Sequence, residues 1–205
     1  MPDPIVYAAD IGSVAGRRFG WSRLPALPGP VGHGDIGELS ARVAADLAQG
    51  LHVALGFEAP QFVPVRRDPS CLTFARKGEG ARPWSAGAGC GALATSLPEV
   101  VWILERVTEA LGSTPKATLS LAKFCSGSGQ LLLWEAFVTG AAKADSHEGD
   151  AALAAQEFLR RWPDVRSDID TEQDPVRSLV GATLLRAGYS EDLALLRQEC
   201  LVVRV

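Results

Sequence analysis

Residues 5–9 form an apolar run of strand length that ends in a carboxylate, Asp10, and is followed by glycines at positions 12 and 16. Such a run, bounded by turn residues, predicts a buried central strand that leads into a hairpin. A carboxylate beside a buried strand has to be hydrogen-bonded, paired with a cation or bound to a metal. Two interpretations of Asp10 therefore stay open: it caps the turn at Gly12, or it belongs to a functional site.

The same pattern occurs again at residues 52–58, where a second apolar run ends in Glu58. The residues between the two runs show apolar positions at helical spacing and stop at Gly50, which predicts a helix. A strand, helix, strand order favours a right-handed crossover that places the two strands side by side and parallel. We therefore expect Asp10 and Glu58 at the same strand ends, where ligands bind in open α/β sheets.

Further acidic residues lie in later predicted elements. Glu135 lies in the apolar run at residues 131–138, which predicts a third buried strand, and Glu148 and Asp150 lie in the first turn of a predicted helix. Helix capping alone explains an acid such as Glu148, but it explains the deeper Asp150 less well. Clustered carboxylates repel one another unless a cation lies among them, and Mg²⁺ or Mn²⁺ prefers such oxygen ligands. Two such ions about 4 Å apart would activate water and stabilise the leaving oxygen in phosphodiester hydrolysis.

Residues 61–95 form a long, Gly-rich segment without a regular pattern, in which basic and aromatic side chains alternate. A segment this long in a compact domain is usually functional or disordered. It is interpreted either as a surface that binds anions and stacks bases, or as a solvated flap. A helix is predicted to start only after it, at the capping box Ser96 to Glu99. The candidate nucleic-acid-binding residues of the segment are Arg66, Arg67, Arg76, Lys77 and Arg82.

Length and composition limit the remaining choices. A chain of 205 residues predicts a single domain, and a net charge of -4 gives no general attraction to polyanions. Four cysteines that are far apart argue against a zinc site and favour a reducing, cytoplasmic location. No uninterrupted apolar run reaches the ~18 residues that would predict a membrane span, so no membrane partner is expected. Monomer and homodimer both stay open as oligomeric states.

The order of these elements resembles the RNase H-like superfamily, especially its RuvC-like branch and a group of bacterial predicted nucleases. The resemblance implies a single-domain α/β fold, residues 1–205, with a mixed sheet, helices on both faces and residues 61–95 as a basic insertion. It also implies that Asp10, Glu58 and Asp150 are catalytic metal ligands for Mg²⁺ or Mn²⁺, with Glu135 and Glu148 as ancillary ligands. The segments that carry the resemblance are residues 10–12 with 20–21, residues 57–60, residues 67–76, residues 134–135 and residues 147–151.

Two functions follow as hypotheses. The first is a metal-dependent nuclease that hydrolyses nucleic acid, and the second is a catalytically inactive RNase H-like module that binds nucleic acid or a protein partner. An actin-like phosphotransferase also begins with a strand, Asp, Gly and a hairpin. Its class is built from two such lobes, whereas this chain is long enough for one.

Overall fold

The computed structural model describes residues 3–25 and 34–205 of the chain. Within these ranges the strands and helices alternate in the order of an α/β protein. The strands are β1 (Ile5–Asp10), β2 (Gly20–Leu24), β3 (Val53–Glu58), β4 (Phe62–Pro64), β5 (Ala117–Thr118), β6 (Leu131–Phe137), β7 (Val176–Ser178) and β8 (Leu201–Arg204). The helices are α1 (Ile36–Ala48), α2 (Gly87–Leu111), α3 (Leu121–Cys125), α4 (His147–Arg161) and α5 (Leu179–Arg186).

Six of these strands form one mixed sheet in the order β2, β1, β3, β6, β5, with β8 also paired to β6. β2 runs antiparallel to β1, whereas β3 is parallel to β1 and β6 is parallel to β3. Asp10 and Glu58 are direct partners in the register of β1 and β3. The prediction that these two strands are adjacent and parallel is therefore confirmed. A strand at the C-terminal end of the sequence, β8, runs parallel to β6.

Helices cover both faces of the sheet, and each face has its own apolar core. On one face, α1, α2 and α5 contribute buried residues such as Leu39, Ile103 and Leu184, which share a cluster with Phe57 of β3. On the other face, α3 and α4 pack against the tryptophan of β6, Trp134. Full burial of such large apolar side chains contributes about 1.5–3 kcal/mol each, so both layers stabilise the sheet. The α/β class with a mixed sheet between helices is confirmed.

The segment at residues 61–95 is more regular than the sequence predicts. β4 pairs antiparallel with β7 in a separate two-stranded sheet, and α2 already begins at Gly87 rather than at residue 96. The hydroxyl of Ser96 donates to the carbonyl of Leu93 instead of capping a helix, and Pro98 lies inside α2. Three glycines among residues 87–95 disfavour a helix by about 1 kcal/mol each, so the early start reflects tertiary packing, in which Ala92 contacts the core.

Helix α5 begins only at Leu179, although Asp174–Pro175 is a typical helix-start sequence with Pro at the first helical position. Residues 176–178 are taken up by β7, and the hydroxyl of Ser178 accepts the N–H of Gly181 as the helix cap. Tertiary pairing with β4 thus overrides the local helix-start signal.

By length and composition alone, α2 is long and apolar enough to cross a membrane, and within the described ranges it alone passes this test. In its most apolar 18-residue window, 22% is buried. One such helix does not by itself indicate a membrane protein, because core helices and signal sequences satisfy the same criterion. Its second half packs in the core through Val100, Ile103, Leu104 and Val107.

Candidate metal centre

Two of the predicted site residues lie at the carboxyl ends of neighbouring strands. Asp10 is the last residue of β1 and Glu58 is the last residue of β3, and they are partners in the parallel register. Because side chains alternate along a strand, partners in a parallel register share one face of the sheet, here the face covered by α4. Asp10 is buried, and the Glu58 side chain is 14% exposed.

The third carboxylate comes from the first turn of α4. The helix is capped by Ser146, whose hydroxyl accepts the N–H of Gly149 at 3.1 Å. Asp150 is buried, and its Oδ1 accepts the N–H of Ala144 at 2.6 Å. These two bonds fix where the acid lies.

A glycine on β2 allows this helix end to approach the sheet. A Cβ at Gly20 would lie 2.5 Å from the main-chain nitrogen of Glu148 and 2.6 Å from the carbonyl carbon of His147, which is closer than real Cβ atoms come. With glycine there, ligand atoms of Asp10, Glu58 and Asp150 all lie within 4.8 Å of one another. The structure thus brings together the three acids predicted to be catalytic.

Two basic side chains that sequence reasoning left without a functional role complete the cluster. The Nζ of Lys143 lies 2.8 Å from Asp150 Oδ2 and 3.3 Å from Glu58 Oε1. The Nδ1 of His147 lies 2.5 Å from Asp10 Oδ2. His147 precedes Asp150 by three residues on one helix, a spacing that places both on the same side and is visible in the sequence. Lys143 comes from a loop, and no sequence pattern predicts its position.

Burial and mutual repulsion control ionisation in this cluster. The pKa of Glu58 is raised to about 8, first by burial and then by the charges of Asp10 and Asp150, against the opposing charge of Lys143. Burial also raises the pKa of Asp10, although the bond to His147 acts in the other direction. Burial lowers the pKa of Lys143, but its bond to Asp150 and the charge of Glu58 outweigh burial and raise that pKa overall. The site therefore favours positive charge placed among its acids.

The donor set fits a hard divalent cation. Three carboxylates offer the oxygen ligands that Mg²⁺ and Mn²⁺ prefer. In addition, the Oε2 of Glu58 is buried without a hydrogen-bond partner in the described part of the chain, so this oxygen has unused capacity to bind a cation. Asp10, Glu58 and Asp150 could hold a metal ion.

Glu135, expected as an ancillary ligand, lies on the other side of the sheet. Its register partner on β3 is Phe57 and not Glu58, so its side chain projects to the face opposite the acid cluster. There its two oxygens accept from Arg76, at 2.5 Å and 2.9 Å, and from the N–H of Gln61. Glu148 likewise lies outside the group of three acids. The structure therefore corrects the assignment of Glu135, whereas the ancillary role of Glu148 stays a prediction.

The predicted nucleic-acid-binding residues divide into buried and exposed ones. Arg76 is fully buried against Glu135 and Glu79, so the structure corrects its assignment as a phosphate contact. Arg66 is held by Asp174 at 3.0 Å and by main-chain carbonyls. Arg67, Lys77 and Arg82 are exposed.

A cavity of about 390 Å³ opens beside the acids; we call it the site cavity. One end is formed by Asp10, Glu58, Lys143 and His147. The lining also includes Arg18, Arg82, Trp84 and the first turns of α2. Of the five predicted nucleic-acid-binding residues, Arg82 is the one that lines it.

Comparison of the chain with models of protein families, with curated proteins and with solved structures finds no match. The functional conclusion therefore rests on the geometry of the site.

Proposed function

We propose that the protein is a metal-dependent nuclease of RNase H-like fold that hydrolyses phosphodiester bonds in nucleic acid with Mg²⁺ or Mn²⁺. The order of elements supports this proposal. A strand ending in Asp10 has an antiparallel hairpin partner, and a helix leads from it to a parallel strand ending in Glu58. A later helix, α4, then delivers Asp150 to the same edge of the sheet.

The single observation that carries the proposal is the convergence of Asp10, Glu58 and Asp150 within 4.8 Å. Acids this close are costly unless a cation binds among them. Divalent ions held by these carboxylates would supply an activated water and neutralise the charge that develops on the phosphate. Asp10 and Glu58 on rigid strands, and Asp150 on a capped helix, would hold the ligand oxygens in fixed positions.

The chain also supplies groups for proton transfer and for substrate charge. His147 lines the site cavity, and its Nδ1 is bonded to Asp10, which orients the ring. The other ring nitrogen can then exchange a proton with a water or a leaving oxygen in the site cavity. Arg18 and Arg82 line the same cavity and are exposed, which suits contacts to phosphates on either side of the scissile bond.

The experiment is a cleavage assay with labelled DNA and RNA, each tested as single strand and as duplex, in Mg²⁺, in Mn²⁺ and in a chelator. Wild-type protein should cut at least one of these substrates with metal and none in the chelator. Asp150→Asn should remove the activity while leaving the circular dichroism spectrum unchanged. Asp145→Asn serves as a matched control, because Asp145 lies just before α4 and outside the group of three acids. Equal activity of wild type and Asp150→Asn would contradict the proposal.

A second candidate function is favoured by the cations of the site. Lys143 pairs with Asp150 and Glu58, and His147 bonds to Asp10, so each of the three acids already has a basic partner within the chain. Such internal pairing suits a non-catalytic module of the same fold that binds nucleic acid or a protein. Failure to bind Mn²⁺ together with absence of cleavage of all the substrates above would favour this module over the nuclease.

A further inference from the structure

We infer that the site cavity accepts an unpaired nucleotide, so that the substrate is a single-stranded stretch of nucleic acid whose base lies against Trp84. The inference rests on the proposed function, which makes nucleic acid the substrate. It adds which class of nucleic acid is bound. It follows from the shape of the site cavity, from the way Trp84 is held, and from two cations at its wall.

The size of the site cavity suits one nucleotide unit. Its volume of about 390 Å³ falls in the range of roughly 300–1,000 Å³ typical of sites that enclose one small molecule. The wall from α2 is made of Ala88, Gly91, Ala92 and Thr95, which recur at helical spacing on one side of the helix. Because none of these side chains is large, the space between α2 and the acids stays open to a flat group.

Trp84 is the aromatic side chain of this wall, and the fold holds it at two points. Its indole N–H donates to the carbonyl of Phe74 at 3.1 Å, and its main-chain N–H donates to Glu79 Oε1 at 3.2 Å. Glu79 is buried and forms an ion pair with Arg76, which also forms an ion pair with Glu135 of β6. The indole is thus fixed relative to the sheet that carries the acids, and a rigid aromatic side chain is a sequence-tolerant platform for a base.

Two arginines that line the site cavity can bind phosphates. Arg18 follows the Gly12 turn and Arg82 precedes α2, and both line the site cavity. Within residues 3–25 and 34–205, neither side chain forms a hydrogen bond or an ion pair with another residue. Since the whole chain carries a net charge of -4, polyanion binding depends on such local cations.

An unpaired strand fits this arrangement better than a duplex. In a duplex the bases are stacked inside, and the outside offers phosphates and groove edges, so a base reaches an aromatic wall only when it is unpaired or flipped. Positive side chains along a groove, together with an aromatic side chain that stacks bases, are the general means of binding single strands.

The test measures binding of a fluorescent oligonucleotide of about 12 nucleotides, as single strand and annealed to its complement, in DNA and RNA form. The protein is the full chain carrying Asp150→Asn, so that the strand stays intact. We expect at least one single strand to bind about tenfold more tightly than its duplex. Adding Trp84→Ala should weaken single-strand binding by roughly fivefold or more and leave duplex binding unchanged.

Further variants separate the site cavity from general effects. Ala92→Leu should fill the space and weaken single-strand binding, whereas Ala110→Leu at the exposed end of α2 should not. Trp102→Ala is the matched control for Trp84→Ala, because Trp102 is exposed on α2 away from the site cavity. Trp84→Phe keeps an aromatic ring and should retain most of the affinity. It therefore keeps the test valid even if Trp84→Ala misfolds.

The outcomes for this inference and for the nuclease proposal can be told apart. Duplex binding equal to or tighter than single-strand binding, or unchanged affinity in both Trp84→Ala and Ala92→Leu, overturns the inference; absence of any strand binding also overturns it. Metal-dependent cleavage of duplex alone would overturn it while the nuclease proposal stands. Trp84-dependent binding of a single strand without metal binding or cleavage would support it while the proposed hydrolysis fails.

Discussion

Arg76 and Glu135 form a fully buried, bidentate ion pair, with Arg76 Nη2 2.5 Å from Glu135 Oε1 and Nη1 2.9 Å from Oε2. Glu79 accepts from the remaining Nε at 2.9 Å. Arg76→Met would leave two buried carboxylates without their cation, which typically costs about 3–5 kcal/mol. Urea unfolding at pH 7 measures the loss.

Two controls accompany this prediction. Arg67→Met changes an exposed arginine and should alter the free energy of unfolding by less than about 0.5 kcal/mol. The triple variant Arg76→Met, Glu79→Gln, Glu135→Leu also removes the two carboxylates that lose their cation, and it should regain part of the stability. If Arg76→Met proves as mild as Arg67→Met, the pair is not the buried support described above.

Gly20 should be hard to replace. In Gly20→Ala the new Cβ would meet the main chain of His147 and Glu148 at 2.5–2.6 Å, and α4 would have to move away from β2. We expect a loss of about 1–3 kcal/mol in stability, together with weaker metal binding because Asp150 moves with the helix. Gly91→Ala is the matched control: nothing lies within 4 Å of its Cβ, and in a helix it should gain about 0.5–1 kcal/mol. Equal thermal stability of the two variants would contradict this packing.

The acids on β1 and β3 could be predicted from the sequence because two independent rules agree. Each apolar run ends in its carboxylate, and a single helix between the runs requires a parallel crossover. The side of the sheet on which Glu135 lies could not be predicted, because it depends on the strand register. Glu135 pairs with Phe57, one residue before Glu58, whereas Asp10 pairs with Glu58 itself. A shift of one residue changes the face of every side chain in a strand.

The basic residues of the site also differ in how far the sequence predicts their positions. His147 carries a sequence signal, because it lies one helical turn before Asp150. Lys143 carries none, since its position depends on how the loop before α4 folds over the sheet edge. For the same reason Arg76 looked like a surface cation: only tertiary structure shows that Glu79 and Glu135 surround it.

The raised pKa of Glu58 predicts a pH dependence of stability. Its value of about 8 in the folded protein lies above the usual 4.5, so folding favours the protonated form. The resulting stabilisation is complete below about pH 4.5 and is lost as the pH rises towards 8, by at most about 1.4 kcal/mol per pH unit. In thermal unfolding with a chelator, the melting temperature should fall less steeply between pH 5 and 8.5 for Glu58→Gln than for wild type.

Glu99, whose pKa burial raises to about 7, acts in the same direction, so Glu58→Gln should flatten only part of the profile. Glu191→Gln at an exposed position is the control and should keep the wild-type slope. A Glu58→Gln profile that parallels wild type throughout would show that Glu58 titrates normally.

Lys143 should oppose metal binding. Its ammonium group is bonded to two of the three acids, and a divalent ion needs the same oxygens. Lys143→Gln should therefore bind Mn²⁺ about tenfold more tightly, since unit charges about 4 Å apart repel by roughly 1 kcal/mol even in water. Titration calorimetry compares this variant with Lys123→Gln, an exposed lysine that should behave as wild type. Weaker Mn²⁺ binding by Lys143→Gln would assign the lysine a supporting role instead.

The central claim, that Asp10, Glu58 and Asp150 hold a divalent ion, is tested most directly by thermal unfolding of wild type and Asp10→Asn with increasing Mn²⁺. An ion that binds only the folded protein stabilises it by RT ln(1 + [L]/Kd), about 2.7 kcal/mol at a hundredfold excess over Kd. Wild type should show this gain and Asp10→Asn should not. Without added metal the variant should be no less stable, because burial already disfavours the charged form of Asp10. An identical response of the two proteins to Mn²⁺ would contradict the claim.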